Sequence, residues 1–188
     1  MTVSTHVSTA LAWSSVAILI YSKTYGDISL DFITGFYTTL IFGVVFPDID
    51  EPESWIGRRT IIISNIIKFI FGHRGFTHTL IFTILPLIIG LIYIDIYIGL
   101  NSKMIYMLYG FVAGVFLHII GDAHTKGGVP LLLPFSKKKF FILPKFMRFK
   151  TNSFTEYIYN FIYLGIFSLV LYISANEHNV ELFLQKIN

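Results

Sequence analysis

The sequence contains no cysteine and unusually few charged side chains. Without cysteine there can be no disulfide, no thiolate zinc ligand and no cysteine nucleophile, so any metal must be held by histidine, aspartate or glutamate. Charged residues make up 13% of the 188 residues and hydrophobic residues 54%, whereas soluble domains average about 25% charged residues. The net charge is only +3, which does not suggest the basic face of a nucleic-acid-binding domain. The composition is that of an integral-membrane protein.

Five long hydrophobic segments predict an all-α, polytopic transmembrane bundle that forms a single domain over residues 1–188. They are Val7–Tyr21, Phe32–Phe46, Leu80–Gly99, Met104–Gly121 and Ile158–Ser174. A helix needs about 20 residues to cross the hydrocarbon core, so the first two segments reach that length only with their polar flanks. The first segment has no basic residue before it and no convincing cleavage site, and we expect it to be retained.

Two other segments are predicted to lie at the membrane surface. Ile61–Phe71 is too short to span and is interrupted by Ser64, Asn65 and Lys68, which favours an interfacial amphipathic helix. Residues 129–153 combine three prolines with a run of lysines. This pattern predicts an irregular basic loop that contacts lipid headgroups.

The distribution of Lys and Arg predicts the orientation. Eleven of the 14 basic residues lie between the second and third segments or between the fourth and fifth. The positive-inside rule assigns both connections to the cytoplasm. Five spans then place the N-terminus in the cytoplasm and the C-terminus outside, in a multi-pass protein of the cell (inner or plasma) membrane.

Histidines and aspartates stand at the ends of these segments. His118 and Asp122 close the fourth segment and share one helix face, so both can reach one metal ion; alternatively they are a helix-end histidine and a capping aspartate. His73 and His78 precede the third segment with Gly75 between them, a spacing that fits a turn entering a helix. They are either metal ligands or polar groups of an interfacial loop.

Three further candidates are weaker when taken singly. Asp48 and Asp50 follow the second segment in the sequence Pro-Asp-Ile-Asp, where they either bind divalent ions or form a solvated acidic turn. His6 precedes the first segment and is either a ligand or incidental. Arg74 pairs with a carboxylate or an anionic substrate group, or else anchors the chain at the cytoplasmic face.

The predicted topology supports the metal-binding interpretation of all these residues together. It rests on the basic residues alone, and it nevertheless places the histidine and aspartate candidates at the same membrane face. Ionisable groups at the ends of apolar helices are costly and point to function. Ligands distant in sequence are therefore expected to meet at the cytoplasmic end of one bundle.

In combination, these motifs resemble the YdjM-like family of bacterial and archaeal integral-membrane proteins, which is described as a group of metal-dependent hydrolases. The resemblance covers residues 6–135. It rests on an early histidine like His6, on Pro47–Asp50, on His73–His78 and on His118–Pro130 continued by Leu133–Phe135. His124 and the additional Gly127 depart from the usual form of the last motif. The resemblance implies a metal-dependent hydrolase and leaves the substrate open.

The sequence thus favours a membrane-embedded hydrolase that uses one or two divalent ions, with zinc preferred over manganese or iron. The predicted ligands are His6, Asp48, His73, His78, His118 and Asp122. Asp50, as general base, and Arg74 are the predicted catalytic residues. A site at headgroup depth would act on an ester or phosphoester of a lipid or anionic amphiphile. No feature of the sequence indicates an oligomeric state.

Two other functions remain open at this point. The first is a non-catalytic membrane protein in which the metal ties loops together. The second is a metal carrier, which is disfavoured because a carrier needs ionisable groups on both sides of the membrane midplane. An open coordination position would separate the enzyme from the structural protein.

Overall fold

The computed structural model describes the backbone of residues 1–99 and 102–187 and the side chains of residues 1–99 and 103–176. Its α-helices are α1 (Val3–Tyr25), α2 (Leu30–Val45), α3 (Ile61–Phe71), α4 (Leu80–Tyr93), α5 (Ser102–Asp122) and α6 (Phe154–Ile187). Among the described residues, five stretches are long and apolar enough to cross a membrane: Val3–Tyr25, Leu30–Asp50, Leu80–Ile98, Lys103–Asp122 and Phe154–Asn176. The prediction of an all-α bundle with five spans is confirmed, and the last span is longer than predicted.

Helix α1 carries several buried hydroxyl groups, and each has an acceptor. Thr9 donates to the carbonyl oxygen of Thr5, and Ser14 donates to that of Ala10. Ser8 donates to Oδ1 of Asn160 on α6 at 2.6 Å. These side chains are buried, and their small size lets α1 pack closely against its neighbours. The polar start of α1, including His6, therefore belongs to the helix.

Helices α2 and α5 make the closest contact in the bundle, through glycines on both sides. A Cβ atom added to Gly43 would lie 2.1 Å from the carbonyl oxygen of Phe111. One added to Gly114 would lie 2.2 Å from the carbonyl oxygen of Leu40, and Gly110 is equally close to Phe36. Gly110 and Gly114 thus form a small-xxx-small pair that lets two backbones touch. This contact brings the end of α2 beside the end of α5.

A buried carboxylate joins the starts of α1 and α6. Glu156 is fully buried, and its Oε1 accepts hydrogen bonds from the backbone N–H of Thr2 at 2.6 Å and from the hydroxyl of Thr2 at 3.1 Å. Its Oε2 accepts the backbone N–H of Asn152 at 2.6 Å. Thr2 is the N-cap of α1, so Glu156 satisfies donors that a helix start leaves free. It thereby fixes the turn of α1 that carries His6.

Replacing Glu156 with alanine should lower the free energy of unfolding by about 2–3 kcal/mol, because two backbone N–H groups and one hydroxyl would lose their buried acceptor. Thermal unfolding in detergent would measure this as a fall in Tm of several degrees. Glu53→Ala, which removes an exposed carboxylate, is the control and should leave Tm nearly unchanged. Equal Tm values for the two variants would contradict the role given to Glu156.

Helix α3 and residues 129–153 are the two segments that the sequence predicts to lie at the membrane surface. Helix α3 buries only Ser64, and Phe69 and all of its isoleucines except Ile67 are exposed. This is the arrangement expected of a helix resting in the membrane interface. Residues 129–153 form no helix; they hold together through backbone hydrogen bonds between Val129 and Phe140. Phe135 and Phe146 project from this loop with high exposure.

Candidate metal centre

Four chain segments converge at one end of the bundle. Helix α1 contributes His6, and the last turn of α5 contributes His118 and Asp122. A 3-10 turn, Phe46–Asp50, continues α2 and carries Asp48 and Asp50. A second 3-10 turn, Phe76–His78, leads into α4. The convergence predicted from the positive-inside rule is thus present in the fold.

The centre of the cluster is a contact between two buried imidazoles. The Nε2 atoms of His78 and His118 lie 3.2 Å apart, and both side chains are fully buried. The Nδ1 atom of His118 lies 2.6 Å from the carbonyl oxygen of Val44. A carbonyl oxygen only accepts, so Nδ1 carries the proton and Nε2 of neutral His118 carries a lone pair.

The same reasoning fixes the tautomer of His78. Its Nδ1 lies 2.9 Å from the hydroxyl oxygen of Thr77 and 3.3 Å from Oδ2 of Asp50. Thr77 donates its own hydroxyl proton to Asp50, so Nδ1 of His78 must be the donor in this group. Neutral His78 therefore also presents a lone pair at Nε2, directed at the lone pair of His118. Two acceptors at this distance require a cation between them, either a proton or a metal ion.

The carboxylates around His78 also favour a positive charge between the two imidazoles. Burial disfavours the imidazolium, but hydrogen bonds to Asp122 and Asp50 outweigh burial and raise the pKa of His78 to about 9. Neighbouring carboxylates thus favour a positive charge at this position. Metal ligation needs the imidazole deprotonated, so a bound divalent ion would replace this proton.

Three ligand atoms, from Asp48, His78 and His118, lie within 4.8 Å of one another and could hold one metal ion, with Asp122 next to them. Oδ1 of Asp48 lies 3.5 Å from Nε2 of His118 and 3.9 Å from Nε2 of His78, and Oδ2 of Asp122 lies 3.5 Å from Nε2 of His78. Ligands at about 2.0–2.1 Å from zinc in tetrahedral geometry are separated by about 3.3 Å. The donor set of two imidazoles and one carboxylate therefore suits a divalent ion in both chemistry and spacing.

His6 packs against one side of this cluster. Its ring stacks on that of His118, with centroids 3.7 Å apart and planes within 5°. Both of its nitrogens are buried without a hydrogen-bond partner, and Nε2 lies 3.4 Å from Oδ1 of Asp122. His6, His118 and Asp122 thus form a second group whose ligand atoms come within 4.8 Å of one another.

Two cationic groups already bind the Asp122 carboxylate of this second group. Oδ1 of Asp122 accepts from the amino group of Met1 at 2.6 Å and from Nη2 of Arg74 at 2.9 Å. His118 offers only one nitrogen, since its Nδ1 is held by Val44. A second ion beside His6 would compete with both cations for Oδ1 and with the first group for His118. The geometry thus favours one ion over two.

Asp50 lies behind the cluster and is nearly fully buried. Its carboxylate accepts the backbone N–H of Arg74 at 3.0 Å and the hydroxyl of Thr77, and it faces Nδ1 of both His73 and His78. Each oxygen therefore has a donor. His73 stands outside the two ligand groups, with 40% of its side chain exposed and its Nδ1 3.1 Å from Asp50.

Arg74 links the two sides of the site. It has a φ of 56°, a conformation uncommon for residues other than glycine. Its backbone N–H donates to Asp50, while its guanidinium reaches Asp122 and, at 3.1 Å, the hydroxyl of Thr125. The absence of a side chain at Gly127 leaves room for this guanidinium. Of the two partners predicted for Arg74, a carboxylate and an anionic substrate, the carboxylate is observed.

Comparison with known proteins places this site in a family. The family model described as YdjM inner membrane protein matches residues 1–181. The chain belongs to the YdjM inner membrane protein family. It is 38% identical over 114 residues to the uncharacterized protein YvsG of Bacillus subtilis (strain 168), covering 61% of this chain and 64% of that protein. It is 37% identical over 120 residues to the inner membrane protein YdjM of Escherichia coli (strain K12), covering 63% of this chain and 58% of that protein.

The match confirms the resemblance found in the motifs. The chain spans less than two thirds of the length of these curated relatives. No solved structure is significantly similar to the chain.

Several residues that shape this YdjM-family site do not stand out in the sequence. Thr77 lies inside the His73–His78 motif, and its hydroxyl could have been suspected from that position. The carbonyl oxygen of Val44 has no sequence signal, because any residue supplies one. Gly110 and Gly114 carry a recognisable small-xxx-small spacing, which the hydrophobic run around them obscures.

Proposed function

We propose that this protein is a membrane-embedded, metal-dependent hydrolase. The observation that carries the proposal is the contact between the Nε2 atoms of His78 and His118, each with a lone pair facing the other at 3.2 Å. The other nitrogen of each ring is held by a hydrogen bond, as is usual for metal-binding histidines. Asp48 completes the proposed ligand set, Asp122 lies beside it, and His6 packs against it.

A bound divalent ion would lower the pKa of a coordinated water and polarise an ester or phosphoester oxygen. Zinc fits the three donors best, with a fourth position left for water, and manganese or iron would also accept nitrogen and oxygen ligands. Asp48 is the most exposed of the three, at 17%, so the position beside it is the most accessible to water and substrate. Arg74 holds Asp122 in place and sets a positive charge beside the site.

The surroundings support a lipid or anionic amphiphile as substrate. In the proposed orientation the cluster lies at the cytoplasmic ends of the spans, at headgroup depth. The lysines of the loop 129–153 suit a phosphate-bearing headgroup. The exposed apolar side chains of α3 suit the acyl region next to it.

A structural metal site is the second candidate function. With Asp122, whose Oδ2 lies 3.5 Å from Nε2 of His78, as a fourth ligand, the protein would fill a tetrahedral shell, as in structural zinc sites, and three of these four residues are almost fully buried. In that case the metal would tie α2, α4 and α5 together without catalysis.

Hydrolysis assays distinguish these two functions. Purified protein in detergent, loaded with zinc or manganese, should hydrolyse at least one of bis-p-nitrophenyl phosphate, p-nitrophenyl esters or phospholipid, and His118→Ala should abolish that activity. Stoichiometric metal without hydrolysis of any of these substrates, together with unfolding on chelation, would favour the structural role.

The proposed orientation has its own test. A reporter fused at Lys138 should lie in the cytoplasm, and one fused after Ser174 should lie outside, because the basic connections are retained on the cytoplasmic side. Paired phosphatase and fluorescent-protein fusions would report the two positions. Both reporters on one side would contradict the proposed five-span topology.

A further inference from the structure

His73 differs from the other histidines within residues 1–99 and 103–176. His6, His78, His118 and His124 are all buried, whereas 40% of the His73 side chain is exposed. His73 nevertheless lies against the site, with its ring centroid 6.1 Å from that of His78. It is the imidazole that a molecule approaching the cluster can reach.

Two carboxylates hold one side of the His73 ring. Nδ1 lies 3.1 Å from Oδ1 of Asp50 and 3.5 Å from Oε2 of Glu51. Carboxylates accept hydrogen bonds, so Nδ1 carries the proton and Nε2 of the neutral ring carries the lone pair. A buried carboxylate that fixes the tautomer of an exposed imidazole is the arrangement by which hydrolases prepare a general base.

Asp50 is shared between this exposed ring and the buried ring of His78. Oδ1 faces His73 and Oδ2 faces His78, while the N–H of Arg74 and the hydroxyl of Thr77 hold the carboxylate in place. A rigid bridge of this kind fixes the exposed imidazole relative to the proposed ligand. With all of its donors in place, Asp50 is better suited to orient His73 than to take a proton from water.

We infer that His73 is the proton-transferring residue of the site and that Asp50 is its positioning residue. This inference rests on the proposed hydrolase function. Nε2 of His73 accepts a proton from the attacking water as the water oxygen bonds to the ester carbon or phosphorus. The bond to the leaving oxygen breaks, and His73 returns the proton to that oxygen, which gives an acid and an alcohol. His73 is then not a metal ligand.

The first test compares His73→Ala with wild type. The variant should keep the wild-type metal content per folded chain, while kcat falls about 10²–10⁴-fold, with partial recovery on adding imidazole. Tm should fall by only a few degrees, because Oδ1 of Asp50 loses one donor. His124→Gln, which changes a buried histidine outside the ligand groups, should match wild type in kcat. Loss of metal from His73→Ala would instead make His73 a ligand and overturn the inference. An unchanged kcat would overturn it as well.

The second test does not depend on activity. Diethyl pyrocarbonate should modify His73 before His6, His78, His118 and His124, as mapped by mass spectrometry, without releasing metal. Prior modification of a ligand histidine, or metal loss in step with modification of His73, would contradict the assignment.

A double variant tests the link to Asp50. All variants are assayed at saturating metal, because Asp50 also holds the proposed ligand His78. If the two residues act as a unit, His73→Ala combined with Asp50→Asn should then lower kcat no further than His73→Ala alone. Multiplicative losses would overturn the positioning role of Asp50. A wild type that binds metal but hydrolyses nothing would overturn the proposed function and the inference together, whereas an active His73→Ala would overturn the inference alone.

Discussion

Replacing His118 with alanine is expected to abolish stoichiometric metal binding. His118 is the residue common to both groups of candidate ligands, and its Nε2 faces His78 and Asp48 in a buried site. Loss of partners outside a ligand set typically weakens metal binding about 10–100-fold, and loss of a buried ligand should exceed that. Elemental analysis of purified protein would show metal falling from about one ion per chain to nearly none.

His124→Ala is the matched control for this variant. His124 lies just beyond the same helix and is also buried, but its Nδ1 donates to the carbonyl oxygen of Ile120 and it belongs to neither ligand group. Metal content per folded chain should therefore stay at the wild-type value. Equal metal content in His118→Ala and His124→Ala would rule out His118 as a ligand.

Replacing Gly114 with leucine should have the largest effect on folding. The new side chain would start 2.2 Å from the carbonyl oxygen of Leu40, where no rotamer relieves the clash. Helices α2 and α5 would have to separate, and they carry Asp48 and His118. We expect a loss of more than about 4 kcal/mol in the free energy of unfolding, together with reduced metal binding, measured by denaturation in detergent and elemental analysis.

Gly165→Leu provides the comparison for this substitution. Gly165 lies in the apolar part of α6, and a Cβ atom there would meet no atom within 4 Å. The same chemical change should therefore leave both stability and metal content close to wild type. Similar destabilisation at the two positions would show that leucine itself, and not the approach of α2 to α5, is responsible.

The sequence was sufficient to predict the spans and the meeting place of the polar residues. Apolar runs determine the helices because the bilayer requires backbone hydrogen bonds to be made within each segment. The distribution of basic residues then predicts which helix ends share a membrane face. That prediction places His6, Asp48, His78, His118 and Asp122 at the same face. The fold contains that arrangement.

The division of roles within the site could not be predicted, because it depends on tertiary contacts. His73 and His78 stand in one motif, yet only His78 enters a ligand group. Asp50 follows Asp48 by two residues, but the turn directs it away from the proposed ion and toward His73 and Thr77. The tautomers of His78 and His118 depend on Thr77, Asp50 and the carbonyl oxygen of Val44, and spacing alone does not indicate these partners.

X-ray absorption at the metal edge of purified, metal-loaded protein tests the central claim most directly. The proposed site predicts one ion per chain in a four-coordinate shell of two imidazole nitrogens and two oxygens, one from Asp48 and one from water, at about 2.0–2.1 Å, with the imidazole signal lost in His118→Ala. An absence of stoichiometric metal, or a shell of oxygens without imidazole, would contradict it and would leave a shared proton as the cation between His78 and His118.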